Sequence, residues 1–155
     1  MSEKEKKTQK LKNYFEKRDD IVMAFLFGSQ AAERAHGGSD WDLAVYFKPL
    51  SQEELEYEEI DRDYPEENRM WADLTEVLET DSVDFLVLNR AAASIADSAI
   101  RGTPLVIKDR RLWLRFMLVI TSLAEDFREF VRDYHKIYQR LASLSSGDEE
   151  RLIRT

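Results

Sequence analysis

Two aspartates stand at the mouth of an apolar run: Asp40-Trp41-Asp42 opens a segment that continues through Leu43, Ala44, Val45, Tyr46 and Phe47. Side chains alternate across a strand, so Asp40 and Asp42 share one face while Trp41 and Leu43 take the other. The two carboxylates then lie about 7 Å apart along the strand, with no cationic neighbour in the sequence to neutralise them. Such a pair can hold divalent cations between them. Mg²⁺ suits it: a hard ion that keeps several waters and accepts one or two carboxylates together with substrate phosphates. Two such ions about 3.5–4 Å apart can hold both the attacking and the leaving oxygen of a phosphoryl-type displacement.

The preceding apolar run, Ile21–Phe27, ends in Gly28-Ser29. Glycine lets a backbone approach a bulky anion, and a serine hydroxyl with neighbouring N–H groups can hold phosphate oxygens. A helix starting after Ser29 would aim the positive end of its dipole at the same anion. Gly28 and Ser29 are therefore candidate nucleotide-binding residues, facing Asp40 and Asp42 as candidate metal ligands and catalytic groups.

The elements that must position these residues follow from periodicity and punctuation. A short helix is expected over 8–18, with Leu11, Tyr14 and Phe15 on one side. Buried strands are expected at 21–27 and 42–47, the second stopped by Lys48-Pro49. Ser51 with Glu54 three residues on makes a capping box, which predicts a helix to about 63. Pro65 breaks it, and a second helix should occupy 66–79. A third strand, 83–88, is headed by Asp84. A helix over 91–101 should stop at Gly102, followed by a short strand at 105–108. From 111 to 144 apolar residues recur every three or four positions, a long helical pattern. The whole is an α/β domain of the α+β type: a small mixed sheet flanked by helices, then a long C-terminal helical region. The expected division is a core at 1–108, a helical region at 109–144 and a polar tail at 145–155.

Composition narrows the function. The net charge is −8, and it is uneven: residues 51–80 hold twelve acids against two bases, −10, which leaves the remainder at +2. A polyanion-binding chain carries the opposite sign, so long nucleic acid is not an expected partner. The acidic block reads as a solvated helix face or, less often, as a docking surface for a basic protein. There is no cysteine, hence no disulfide framework or thiolate metal site. No apolar run approaches the roughly 20 residues that span a bilayer, and the charged N-terminus lacks the apolar stretch of a secretory signal. A cytoplasmic protein is the expectation, with no membrane association.

Gly28-Ser29, then ten residues (30–39), then Asp40-Trp41-Asp42, with an apolar strand on either side, resembles the signature of the nucleotidyltransferase superfamily that includes DNA polymerase β. That resemblance implies a third acid from a later strand, which would complete the metal site and accept the proton of the attacking hydroxyl. Asp84 fits; Asp81 precedes the strand and reads as a turn residue. Within the superfamily the chain resembles the minimal nucleotidyltransferase (MNT) antitoxins paired with HEPN-domain toxins, over 21–108 and most closely in FGS, AERAHGGSDWDLAV and SVDFLVLN. Many relatives carry a basic residue and a glycine soon after Gly-Ser, where this chain has Gln30, Ala31, Ala32 and Glu33. Arg34 and His36 are the candidates to compensate near the triphosphate.

The resemblance implies transfer of AMP from ATP to a tyrosine hydroxyl of a HEPN ribonuclease toxin, blocking its active site by charge and bulk, with two Mg²⁺ as cofactors. Two other readings remain: a nucleotidyltransferase acting on a small molecule of the aminoglycoside type, and an antitoxin that silences its partner by binding. A continuous helix over 111–144 would be about 50 Å long against a core of roughly 15 Å radius of gyration. Such a helix must overhang the core or fold back, and Phe127, Phe130, Tyr134 and Tyr138 could serve a helical partner. Arg128 and His135 share a face with the spacing of HEPN ribonuclease pairs, but without a HEPN four-helix body they read as ordinary surface residues.

Overall fold

Seven consecutive apolar residues, Ile21–Phe27, form the strand on which the sheet is built, β1. In the computed structural model, which describes residues 2–28, 40–50, 55–57 and 62–142, β1 lies between two antiparallel neighbours. These are β2 (Trp41–Phe47) and β4 (Thr103–Ile107). Strand β3 (Val83–Val87) pairs parallel with β2, giving the order β3-β2-β1-β4. The expected mixed sheet forms.

Both faces of the sheet are covered, which is why β1 reads as an unbroken apolar run. One face, with Ala24, Leu26, Leu43 and Val45, packs on helices α1 (Glu3–Glu16) and α2 (Glu66–Leu78). The other, with Met23, Phe25, Ala44 and Tyr46, packs on α3 (Ala93–Ile100) and the start of α4 (Arg110–Ala142). A register shift between Ile21 and Met23 turns Val22 and Met23 toward the same side, the usual consequence of a bulge.

Local chemistry explains most boundaries. Helix α1 begins five residues before the expected start because Ser2 caps it, its Oγ accepting from Glu5 N at 3.1 Å. Glu3 and Glu5 suit the positive end of its dipole. Helix α2 ends at Glu79, left-handed at φ 56°. Strand β4 includes Pro104, which was expected to precede it; β4 is an edge strand, where a missing N–H is tolerated.

The expected helix to residue 63 is corrected: residues 55–57 and 62–63 are not helical, and 51–54 and 58–61 lie outside the described residues. The backbone there is held by a distant side chain instead. Tyr46 Oη donates to Glu56 O at 2.7 Å and accepts from Glu56 N at 2.9 Å. The Glu56 carboxylate, 8% exposed, accepts from Leu50 N and pairs with Arg62. These bonds satisfy groups at residue 56 that a helix would have paired internally.

Helix α4 is one continuous element of 33 residues. Phe116, Ile120 and Ala124 are buried; beyond them Arg128 still reaches Asp97 of α3 at 3.5 Å, while Phe127, Phe130, Tyr134, Ile137 and Tyr138 are exposed.

Candidate active site

The strand register gathers the acids at one end of the sheet. Phe27 lies opposite Asp42 across β1 and β2, and Asp42 lies opposite Asp84 across β2 and β3. Neighbouring strands stand about 4.8 Å apart, so Asp42 and Asp84 project side by side from the same face. That face is the one covered farther along by α3 and α4, because Asp42 alternates with Trp41 and Leu43, which enter the opposite core. Asp40 is exposed and immediately precedes β2.

Trp41 is the anchor between the two acids. Its side chain is buried in the α1/α2 core, and its N–H donates to Ser82 O at 2.9 Å, fixing the start of β2 against that of β3. Ser82 N in turn donates to Thr80 Oγ1 at 3.1 Å, and Val83 N to Asp81 O at 2.8 Å. Asp81 therefore sits in the turn, as expected, and Asp84 is the acid brought to Asp42.

Gly28 has a further role that its sequence context does not reveal. Its φ is +71°, and a Cβ built there would lie 2.1 Å from Asp42 Oδ2 and 3.1 Å from its Cγ. Glycine is required both by the turn out of β1 and by the carboxylate against it. On the same end, Gly102 comes so close to Leu26 O that a Cβ would lie 2.3 Å away; sequence suggested only a helix stop. Ser29, Arg34 and His36 lie outside the described residues.

The crowding has an electrostatic signature. The Asp42 carboxyl is pushed up from the ordinary 3.8 to about 6, first by burial, then by a hydrogen bond shared with Asp84, then by the charges of Asp84 and Asp40. No lysine or arginine among the described residues forms an ion pair with any of the three. Like charges held together without a cationic side chain favour a proton or a metal ion.

The donor set suits Mg²⁺ in chemistry: hard carboxylate oxygens, two of them adjacent, open to solvent on the Asp84 side. Among the described residues no group of three or more acidic, histidine or cysteine side chains is placed to hold a metal ion. An ion held by two carboxylates and completed by phosphate and water needs none.

This sheet, with paired strand-mouth acids beside a glycine turn, defines a nucleotidyltransferase. The chain belongs to the polymerase beta nucleotidyltransferase family, which matches residues 9–111. No protein of curated function matches it in sequence. Solved structures share its fold at low identity. One is a chain of a toxin–antitoxin crystal structure with AMP-PNP, at TM-score 0.63 and 16% identity, covering 86% of this chain and 98% of that one. Another belongs to the tri-AMPylated HEPN toxin of Shewanella oneidensis in complex with MNT antitoxin, at TM-score 0.61 and 14% identity, covering 88% and 98%. A third is from the toxin–antitoxin MntA-HepT, at TM-score 0.57 and 16% identity, covering 86% and 97%.

Proposed function

We propose that this chain is a protein adenylyltransferase antitoxin: it transfers AMP from ATP to a tyrosine hydroxyl of a cognate HEPN-family ribonuclease and thereby silences it in the cytoplasm. The observation that carries the reading is the register pair Asp42–Asp84 with Gly28 bare against Asp42. Membership in the polymerase beta nucleotidyltransferase family supports the reaction type. The acceptor is supported by the shared fold with complexes described as a toxin–antitoxin with AMP-PNP and a tri-AMPylated HEPN toxin with MNT antitoxin.

In this reading Asp40, Asp42 and Asp84 would hold Mg²⁺, two ions in all, and Gly28 with Ser29 would receive the triphosphate. Bound Mg²⁺ supplies charge neutralisation on the phosphates. The tyrosyl oxygen attacks the α-phosphorus in line, the bond from that phosphorus to the bridging oxygen breaks, and pyrophosphate leaves. Asp84, the more exposed carboxylate of the pair, takes the tyrosyl proton. Trp41 holds the two strand starts together, so positioning and charge carry the catalysis and no covalent enzyme intermediate is required.

The test is incubation of the protein with labelled ATP, Mg²⁺ and a purified HEPN-family ribonuclease, followed by mass mapping of the acceptor. Adenylyl groups on a tyrosine are expected. Silencing of the ribonuclease without any label would instead favour neutralisation by binding, and label on a small molecule alone would favour the small-molecule transferase.

A further inference from the structure

The turn out of β1 has a different neighbour on each side. On the β2 side stands the Asp42 carboxylate, against which Gly28 is bare. On the β4 side the chain arrives from α3. Strands β1 and β4 pair Phe25 with Pro104 and Leu26 with Thr103. Continued by two residues, that register sets Gly102 beside Phe27 and Arg101 beside Gly28. The close approach of Gly102 agrees: a Cβ there would lie 3.0 Å from Phe27 Cα and 2.9 Å from Phe27 Cβ. One strand spacing, about 4.8 Å, thus separates the Arg101 backbone from the turn that Asp42 flanks on the other side.

Arg101 is a cation with donors to spare. It caps the C-terminus of α3, and its side chain is 65% exposed. Among the described residues its side chain makes one hydrogen bond, from Nε to Asp97 Oδ1 at 3.2 Å, which leaves both terminal nitrogens of the guanidinium unengaged there. Asp97 can release it. That buried carboxylate also has Arg128 of α4 at 3.5 Å from its other oxygen, so it keeps a cation and avoids the cost of a buried unpaired charge. The last carbonyls of α3 also put negative partial charge at this end of the sheet, which an arginine at the cap offsets. Arg18, Lys48, Arg62, Arg90 and Lys108 gather at the opposite end. There Lys108 donates to Arg18 O, Lys48 N to Asp20 O and Arg62 to Lys48 O, and Arg90 lies over the Tyr64 ring.

We infer that Arg101 is a triphosphate ligand: its guanidinium leaves Asp97 and holds the β- and γ-phosphates of ATP, the group that departs as pyrophosphate. The inference rests on the reading of the chain as an adenylyltransferase and adds a residue to that site. The two sides of the turn divide the work. On the β2 side the carboxylates of Asp42 and its neighbours repel phosphate unless a metal ion lies between. On the β4 side a cation can meet the same anion directly, and the arginine fork matches two phosphate oxygens at once. The four residues after Ser29, Gln30, Ala31, Ala32 and Glu33, carry no positive charge, which leaves that role to another element. Holding the departing group also counters the negative charge that grows on it as its bond to the α-phosphorus breaks.

The experiment is calorimetric titration of the full chain, with Mg²⁺ present, by AMP-PNP and separately by AMP, which lacks the β- and γ-phosphates. Arg101→Ala is expected to raise Kd for AMP-PNP about 10-fold or more, while Kd for AMP stays within about twofold. Arg101→Lys keeps the charge but loses the fork and should fall between. Arg101→Gln keeps a donor for Asp97 without the charge and should match Arg101→Ala. Wild-type affinity in Arg101→Gln would mean that Arg101 acts only by steadying α3 through Asp97, and would overturn the assignment. Weakening of AMP and AMP-PNP alike, or of neither, would overturn it too. The exposed side chain lets all three variants fold, which thermal melts check. Binding is read without an acceptor, so the two readings separate. AMP-PNP binding that depends on Arg101, in a wild-type protein that transfers no AMP, keeps the assignment and sinks the transferase reading. No AMP-PNP binding by wild type would overturn both.

Discussion

The two ends of the sheet handle buried polarity in opposite ways. At the end of β2 away from the acids, fully buried Asn89 accepts from Phe47 N at 2.9 Å and donates to Phe47 O at 3.0 Å, mimicking a missing strand partner. Nearby, Tyr46 satisfies both backbone groups of Glu56, and the Glu56 carboxylate is paired with Arg62. At the other end Asp42 and Asp84 stand side by side with Asp40 adjacent, share a hydrogen bond, and hold no ion pair among the described residues. One end is closed by the chain itself. At the other, the acids find only one another among the described residues, and that is the end where the proposed site lies.

The largest expected effect breaks the open end. Asp42→Asn should lower AMP transfer at least about a thousandfold, read from the initial rate of label incorporation, while circular dichroism stays native. Gly28→Ala comes next. A left-handed non-glycine residue costs about 1–2 kcal/mol, and the new methyl must also displace the Asp42 carboxylate. Loss of rate near a hundredfold is expected from that displacement, together with a lower Tm. An unchanged rate would mean that the position of Asp42 does not matter.

The closed end should respond in the reverse sense. Asn89→Ala leaves a buried N–H and C=O of Phe47 unpaired, at about 1–3 kcal/mol for each group. Denaturant unfolding should show that loss, with transfer per folded molecule unchanged. The smallest effect is in pH dependence. The folded state takes up a proton at Asp42 near pH 6, above the ordinary 3.8, so this group favours folding most at low pH. Its contribution is lost as pH rises from about 4 through 6 and stays flat above. Metal-free Asp42→Asn should therefore lack that slope and melt higher than wild type at neutral pH. A lower Tm there would mean that Asp42 is structurally satisfied rather than crowded.

Sequence made the open end legible and the closed end opaque, for a physical reason. Asp40, Asp42 and Asp84 break apolar strand patterns where nothing local excuses them, and alternation alone puts the first two on one face. The three-four spacing of α4 likewise survives in the sequence, because a helix face depends only on neighbours along the chain. Asn89 and Tyr46 act across the sheet on partners 42 and 10 residues away, which no local pattern records. For the same reason the Ser51–Glu54 pair does not foretell the non-helical backbone at 55–57, and the sequence around Gly28 shows the anion it could approach but not the carboxylate it accommodates. Helix α1 began early on a capping serine followed by charged residues, a signal that carries no apolar periodicity.

The initial rate of AMP transfer by Asp42→Asn, measured at neutral pH on protein shown to be at least as stable as wild type, tests the central contrast most directly. A fall to background is expected, with the fold retained and Tm at or above that of wild type. Transfer within about tenfold of wild type would contradict it and move the chemistry away from this end of the sheet.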